Sequence, residues 1–223
     1  MGFFKLTEEI MPYLLEGTVV TLQLTAIAIS IGFVIGISLA LGRLYGNSPI
    51  RAFCRGYIQF FRGTPLLVQL FIVYYGLPRY GIKISSFLAA LIGLGLNSAA
   101  YQAEYFRGAI QSIDEGQMMA ARAIGMSKFK AILNIIIPQA LRIVIPSWSN
   151  ELIYTLKYSS VAYMIGAPEL MAQAKFVAAE NFRYFEVFLV TAFIYLVIVV
   201  ILSRLLDLLE KKAKIPGLQF FQG

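Results

Sequence analysis

The stretch "GQMMAARAIGMSKFKAILNIIIPQA", residues 116–140, interrupts an otherwise apolar chain. Its first half is too polar and too broken by glycine to span a bilayer, whereas its second half starts a new apolar run that contains a proline. Asp114 is a suitable N-cap, Gln117 stands where a capping box needs it, and Gly125 can take the left-handed conformation that ends a helix. The stretch therefore predicts a short amphipathic helix over about residues 114–125, between two membrane spans.

The composition around this helix is that of an integral membrane protein. Of the 223 residues, 59% are hydrophobic and 14% are charged, and the mean hydropathy is +0.73, whereas soluble domains carry roughly 25% charged residues. A span needs about 20 apolar residues, so this length allows five or six spans and no separate soluble domain. We expect an all-α integral membrane fold, with residues 1–223 forming a single domain whose core is about 17–212.

Five apolar runs are long enough to cross a bilayer, and basic residues alternate between the segments that join them. Four Lys or Arg occur in each of the segments 43–62, 107–130 and 204–223, whereas the alternate segments hold one to three. The positive-inside rule then places the amino terminus outside and the carboxyl terminus in the cytoplasm, with the short helix on the cytoplasmic side. The predicted spans are 18–41, 57–77, 84–107, 131–153 and 186–206.

Two further patterns concern helix packing. Gly32 and Gly36 form a GxxxG pattern on the first run, which predicts close approach of a neighbouring helix. The region 151–186 is diluted by charges and interrupted by Pro168, so it predicts a broken or surface helix and not a sixth span.

Several function classes are excluded by residues that the sequence lacks. The chain has no histidine, which removes Ser-His and Cys-His catalysis and HExxH zinc sites, and Cys54 has no partner for a disulfide. It also has no GxxxxGK[ST] loop to hold ATP phosphates. We expect no catalytic residue, no metal and no cofactor on this chain. The net charge of +7 is explained by topology signals, so no nucleic-acid partner is expected.

The short helix has an apolar face of small residues, formed by Met119, Ala120, Ala123 and Ile124. Physical reasoning leaves two interpretations open. The helix lies on lipid headgroups, as basic amphipathic helices commonly do, or it is a docking surface that alanine and glycine open to close approach by another protein.

Several motifs occur in one order and at characteristic separations. Ala120-Ala121, Gly125 and the Ile135-x-Ile137-Pro138 run are flanked by "FRGTPLLVQLFIVYYGLP" from Phe61, "LNSAAYQAEYFRGAIQSI" from Leu96 and "IPQALRIVIPSWSNELIYTLKYSS" from Ile137. This pattern resembles the EAA loop and flanks of permease subunits of ATP-binding cassette importers, in the polar amino acid uptake branch. The sequence departs from that family at Met119, where the family has glutamate, and at Tyr158, where it often has an acid.

The resemblance implies a type I importer permease fold, with five transmembrane helices and the short helix as a coupling helix. It implies two cytoplasmic ATPase subunits that carry ATP and Mg, an extracytoplasmic amino-acid-binding protein, and a second permease copy, identical or sibling. The bacterial plasma membrane is the implied location. The residues that would dock on the ATPase are Gly116, Met119, Ala120, Ala121, Arg122 and Gly125.

A polar stripe on the third run is a candidate substrate site. Asn97, Tyr101, Glu104 and Gly108 recur at helical spacing, and a carboxylate beside an amide suits a cationic amino acid such as arginine or lysine. Alternatively, Glu104 simply pairs with Arg107 three residues later. Secondary candidates are Gln69 and Tyr75, and Glu151 with Lys157.

The competing function is an ion-coupled secondary amino acid transporter, in which Glu104 or Glu151 would carry the proton or sodium linkage. Such transporters usually show paired repeats with broken helices at matching positions, and the sequence shows no such repeat. Dependence of uptake on ATP would separate the two functions.

Overall fold

The computed structural model describes residues 2–213, and every regular element within them is helical, as expected. Lys214, one of the basic residues of the carboxyl-terminal segment, lies outside them. The α-helices are α1 (Phe3–Tyr45), α2 (Ser48–Gly63), α3 (Leu66–Phe71), α4 (Ser86–Gln111), α5 (Glu115–Ala123), α6 (Lys128–Ala131), α7 (Ile137–Ile143), α8 (Ile145–Tyr158), α9 (Leu170–Asn181) and α10 (Tyr184–Ala213). Segments Ile72–Gly76 and Ile132–Ile136 are π-helical, and Leu77–Tyr80 and Ser159–Ile165 are 3-10 helices.

Helices α1 and α4 form the centre of the fold through small residues. A Cβ atom added to Gly36 would lie 2.9 Å from the Cβ of Gln102 and 3.1 Å from the carbonyl oxygen of Ala99. Gln102 is fully buried, donates to the Ile29 carbonyl at 3.2 Å and accepts from the Trp148 indole at 3.1 Å. The close packing predicted from the GxxxG pattern is therefore confirmed, since α4 approaches α1 at these glycines.

We expect Gly36→Ala to lower the melting temperature of the purified protein in detergent, because the added methyl group meets backbone atoms of α4 that cannot move independently. Overpacking costs about 1–3 kcal/mol, and each kcal/mol corresponds to about 2–4 °C at this size. Gly56→Ala is the control, because nothing lies within 4 Å of its added Cβ and alanine favours a helix. Equal melting temperatures for the two variants would contradict the packing argument.

Two of the five predicted spans are not straight. Helix α2 meets the segment 66–80 at a bend of 106°, and the segment 128–143 meets 145–165 at 58°. The predicted spans 57–77 and 131–153 each cross one of these breaks. Pro65 predicts a kink in the first of them, and the kink is confirmed, whereas a single straight helix is wrong for the second. Prolines explain the breaks, since Pro65 precedes α3 and Pro146 stands in the first turn of α8, where a missing amide disrupts a continuous helix.

The number of spans stays a prediction. Within residues 2–213, α1 and α10 are long and apolar enough to cross a membrane, and each bent pair adds one more if it counts as a span. Helix α4 is the remaining predicted span. Its 26 residues are about 39 Å long, enough to cross, but its carboxyl-terminal half carries Glu104 and Arg107, which lower its hydropathy.

The region 151–186 contains the short helix α9, as predicted. Its 12 residues are about 18 Å long, too short to span a bilayer. The buried Glu169 carboxylate caps α9 by accepting from the amides of Met171 at 2.9 Å and Ala172 at 2.8 Å. It also accepts from the Tyr195 hydroxyl at 3.1 Å, so one side chain ties α9 to α10.

Candidate functional site

The amphipathic helix predicted from the sequence is present as α5. Asp114 caps it by accepting from the Gly116 amide at 2.7 Å, and Gly125 follows it with a φ of 87°. The expected capping box is not formed, because the exposed Gln117 side chain makes no hydrogen bond within the described part of the chain. Asp114 alone caps the helix.

The apolar face of α5 is uncovered in this chain. Ala121 is buried at 2% exposure, whereas Met119 is 66% exposed and Ile124 is 78% exposed. Ala120 is exposed as well, and Arg122 donates to the carbonyl of the loop that follows. Five of the six predicted docking residues thus lie on α5, and Gly125 follows it. Ala121 anchors the helix, and Met119, Ala120 and Arg122 face outward.

A second feature is a cavity of about 240 Å³ between α4, α8 and the start of α3. It contains two of the four predicted substrate residues, Asn97 and Tyr101, and it is open on one side, since Tyr154 and Tyr158 are 49% and 53% exposed. The full lining is Leu66, Leu94, Asn97, Ser98, Tyr101, Tyr105, Glu151, Tyr154, Thr155 and Tyr158.

The Glu151 carboxylate is the charged group of this cavity. It is 5% exposed and accepts from the Ser98 hydroxyl at 2.8 Å and from the Thr155 hydroxyl at 3.5 Å, with the Tyr105 hydroxyl also close to it. No Lys or Arg forms an ion pair with it among residues 2–213. A buried carboxylate with only neutral donors is an energetically favourable place for a cationic group of a ligand.

Asn97 and Gln69 together hydrogen-bond backbone carbonyls at the bend between α2 and α3. Gln69 is buried, and its Nε2 donates to the Phe61 carbonyl at 2.9 Å and to the Thr64 carbonyl at 3.0 Å. Asn97 Nδ2 donates to the Gln69 Oε1 at 3.0 Å and to the same Phe61 carbonyl at 3.2 Å. The pair satisfies carbonyl groups that the bend between α2 and α3 leaves free. Gln69 is not part of the cavity lining, whereas Asn97 belongs to both sites.

Glu104 lies outside this cavity, with arginines on both of its oxygens. Oε1 accepts from Arg43, and Oε2 accepts from Arg107 at 2.9 Å and 2.8 Å. The i, i+3 pair with Arg107, which was the alternative interpretation of the stripe, is therefore formed. Arg43 at the end of α1 adds a contact that sequence spacing does not predict.

The cavity includes residues that the sequence analysis did not select, among them Ser98, Tyr105 and Thr155. A signal was available, since Asn97, Tyr101 and Tyr105 are spaced by four residues and share a face of α4. The predicted stripe continues through Glu104 instead, which lies outside the cavity. Glu151 on α8 is a secondary candidate from the sequence, but the sequence does not show that it faces α4, because that contact is tertiary.

Comparison with known proteins is consistent with these features. A family described as "Binding-protein-dependent transport system inner membrane component" matches residues 32–215. A putative glutamine transport system permease protein, GlnP of Rickettsia typhi, is 42% identical over 90% of this chain and 92% of its own length. A probable amino-acid ABC transporter permease protein, YckA of Bacillus subtilis, is 42% identical over 93% of this chain and 92% of its own.

Solved structures agree with these relatives. The crystal structure of an amino acid ABC transporter with histidines superposes with a TM-score of 0.87 at 39% identity, covering 95% of this chain and 99% of that one. A methionine transporter, MetNI, in an inward-facing conformation shares the fold at a TM-score of 0.81 and 21% identity, covering 93% of this chain and 99% of its own.

An ion-coupled transporter is not favoured by any of these matches. A family of this kind implies ATP-binding subunits and a substrate-binding protein as partners. The chain therefore belongs to the inner membrane components of binding-protein-dependent transport systems, as a multi-pass permease subunit of an amino acid ABC transporter with the type I importer fold.

Proposed function

We propose that this chain forms the pathway of an ATP-driven importer for polar amino acids, with arginine and lysine in its substrate range. The observation that carries the proposal is Glu151, a buried carboxylate without a cationic partner among residues 2–213, in a cavity lined by tyrosines and hydroxyl groups. An ammonium or guanidinium group entering this cavity would complete the ion pair. Hydroxyl and amide groups nearby supply the remaining hydrogen bonds of a polar solute.

The size and the walls of the cavity support a small polar substrate. Its volume of about 240 Å³ is below the range of roughly 300–1,000 Å³ that holds drug-sized ligands. Broken helices border it, since α3 begins after the 106° bend and α8 begins after the 58° bend. Irregular backbone at membrane depth is tolerated where it lines a cavity or is buried in protein, and such breaks are places where helix segments can change direction during alternating access.

A second permease copy would complete this cavity. Tyr154 and Tyr158, which lie at its open side, are about half exposed. Pairing with an identical chain or a sibling permease would cover them and enclose the substrate between two subunits. We propose the homodimer, since one chain then supplies both halves of the pathway.

Helix α5 is the proposed attachment point for the ATPase. The chain contains no phosphate-binding loop of its own, so ATP and Mg would belong to two partner subunits. The exposed face with Met119 and Ala120 offers side chains short enough, or flexible enough, for close packing by a partner. The positive-inside rule places this helix in the cytoplasm, where the ATPase is. The binding protein would deliver the substrate from the opposite side.

The test is reconstitution of this chain in proteoliposomes with the ATPase encoded beside it and its binding protein. We expect accumulation of labelled arginine, lysine or glutamine that requires ATP and persists when an ionophore collapses ion gradients. Uptake that continues without ATP and stops with the ionophore would contradict the importer and favour the ion-coupled alternative.

A further inference from the structure

A basic cleft lies beside the cavity, on the other side of Tyr101. It has a volume of about 390 Å³ and is bounded by the end of α1, by α2 and by α4. Tyr101 lines both the cavity and the cleft, so the two are neighbours. The charged side chains that line the cleft are Arg43, Arg55, Arg62 and Glu104.

The cleft carries an uncompensated positive charge. Glu104 is its one acid, and Arg43 and Arg107 occupy both of its oxygens. Among residues 2–213, no carboxylate is within ion-pair distance of Arg55 or Arg62. Both side chains are exposed, so each guanidinium faces water and is free to meet an anion.

Arg62 is the arginine nearest to the cavity. Its guanidinium carbon is 5.2 Å from the centre of the Tyr101 ring, which is a cation–π distance. It also acts electrostatically on Tyr105, the residue that stands beside Glu151 in the cavity. Tyr101 therefore has the basic Arg62 over its ring and shares the lining of the cavity with the acidic Glu151.

This polarity matches a zwitterion. An α-amino acid carries a carboxylate and, on its α-carbon, an ammonium group. Arginine and lysine carry a second cation at the end of the side chain. The planar guanidinium of arginine suits a carboxylate, since it can donate two parallel hydrogen bonds to it. We propose that Arg62 binds the α-carboxylate of the transported amino acid while Glu151 binds its cationic group. This inference rests on the proposed function, because it assigns a second recognition residue to the same pathway.

A lipid phosphate is the other oxyanion that this cleft would accept, and the experiment distinguishes the two. The purified permease–ATPase complex is placed in nanodiscs without the binding protein, which would otherwise impose its own selectivity. Dissociation constants are measured for arginine and for argininamide, which keeps the side chain and the α-ammonium group but lacks the carboxylate charge. Glutamine and glutaminamide form a second pair. Each measurement is made in nanodiscs without phosphatidylglycerol and repeated in nanodiscs in which phosphatidylglycerol makes up half of the lipid.

We expect the native complex to bind arginine at least about tenfold more tightly than argininamide, since one charge-assisted contact is worth about that factor. In Arg62→Gln, the affinity for arginine should fall to that for argininamide, while argininamide binds within about twofold of its native value, which shows that the variant is folded. Arg62→Lys should keep part of the preference for arginine over argininamide, because lysine keeps the positive charge but cannot donate two parallel hydrogen bonds. Arg55→Gln is the matched control, since it removes an arginine of the same cleft that does not stack on Tyr101, and it should preserve the full preference.

Two results would overturn the assignment. An Arg62→Gln complex that keeps the native preference for arginine over argininamide shows that another group binds the carboxylate. A preference that depends on phosphatidylglycerol in the native complex, and loses that dependence in Arg62→Gln, shows that Arg62 binds lipid phosphate instead. If the native complex binds neither arginine nor glutamine, the proposed function itself fails, and this inference fails with it.

Discussion

Glu151→Gln is expected to reduce ATP-driven uptake of arginine and lysine by about 30-fold or more. Removal of one partner of a buried charge pair costs about 2 kcal/mol or more, and every 1.4 kcal/mol is a factor of ten. Glutamine is nearly the same size as glutamate, so the cavity keeps its shape and its hydrogen bonds to Ser98 and Thr155 can partly remain. The measurement is the initial rate of labelled amino acid uptake into proteoliposomes that contain the complete transporter.

Comparison of cationic with neutral substrates shows which group of the substrate Glu151 binds. If Glu151 binds the side-chain cation, uptake of arginine and lysine falls more than uptake of glutamine. Equal losses for all three would contradict recognition of the side-chain cation and assign Glu151 to the α-ammonium group. Unchanged uptake would remove Glu151 from the site. The surface carboxylate Glu186, which pairs with Arg183 at 2.9 Å, offers a control, since Glu186→Gln should leave uptake of all three unchanged.

Glu104→Gln separates the two candidate carboxylates. Because arginines already occupy both oxygens of Glu104, its charge is satisfied within the chain. Its loss should therefore affect uptake of cationic and neutral amino acids to the same degree. A selective loss of arginine and lysine uptake would restore Glu104 as the charge-recognition residue predicted from the sequence stripe.

Ala120→Glu is expected to reduce recovery of the ATPase with the purified permease at least about tenfold, the factor that corresponds to 1.4 kcal/mol of binding free energy. Ala120 is exposed on α5 and ends at Cβ, so a partner can pack directly against the helix there. A glutamate adds a long, charged side chain, which either keeps the partner away or is buried without a cation. ATP-driven uptake should be lost together with the ATPase.

Met119→Glu is the matched control for this prediction. It introduces the same side chain at the neighbouring exposed position, where the resembling family carries glutamate. We expect it to retain the ATPase, since a glutamate at this position of the docking surface is what the resembling family carries. Loss of the ATPase in both variants would show that any negative charge on α5 is disruptive. Full retention in both would return α5 to its other interpretation, a helix lying on lipid headgroups.

Local patterns were enough to predict several elements of the fold. The start of α5 follows from Asp114, whose side chain reaches an amide two residues away. The close approach at Gly32 and Gly36 follows from their spacing of four on one helix face. The bend at Pro65 follows from the proline itself, whereas the bend before α8 is not predicted, because hydropathy summed over a window does not register a change of direction.

The candidate site likewise has one part that the sequence predicts and one part that it does not. The face of α4 that carries Asn97 and Tyr101 was predictable, since it depends on the period of one helix. The contacts of Glu104 with Arg43, 61 residues away, and of Ser98 with Glu151, 53 residues away, were not. Each depends on which helices become neighbours.

The sequence by itself determined that this protein is a helical membrane permease, because the apolar runs, the basic segments and the motif around Gly125 are all local properties of the chain. Only the tertiary structure decided which carboxylate is available to a substrate. The pairing of Glu104 with Arg107 is local and visible in the sequence. Packing adds Arg43 to Glu104 and gives Glu151 only neutral donors. The electrostatic environment of a side chain depends on groups distant in sequence, so it exists only once the helices have packed.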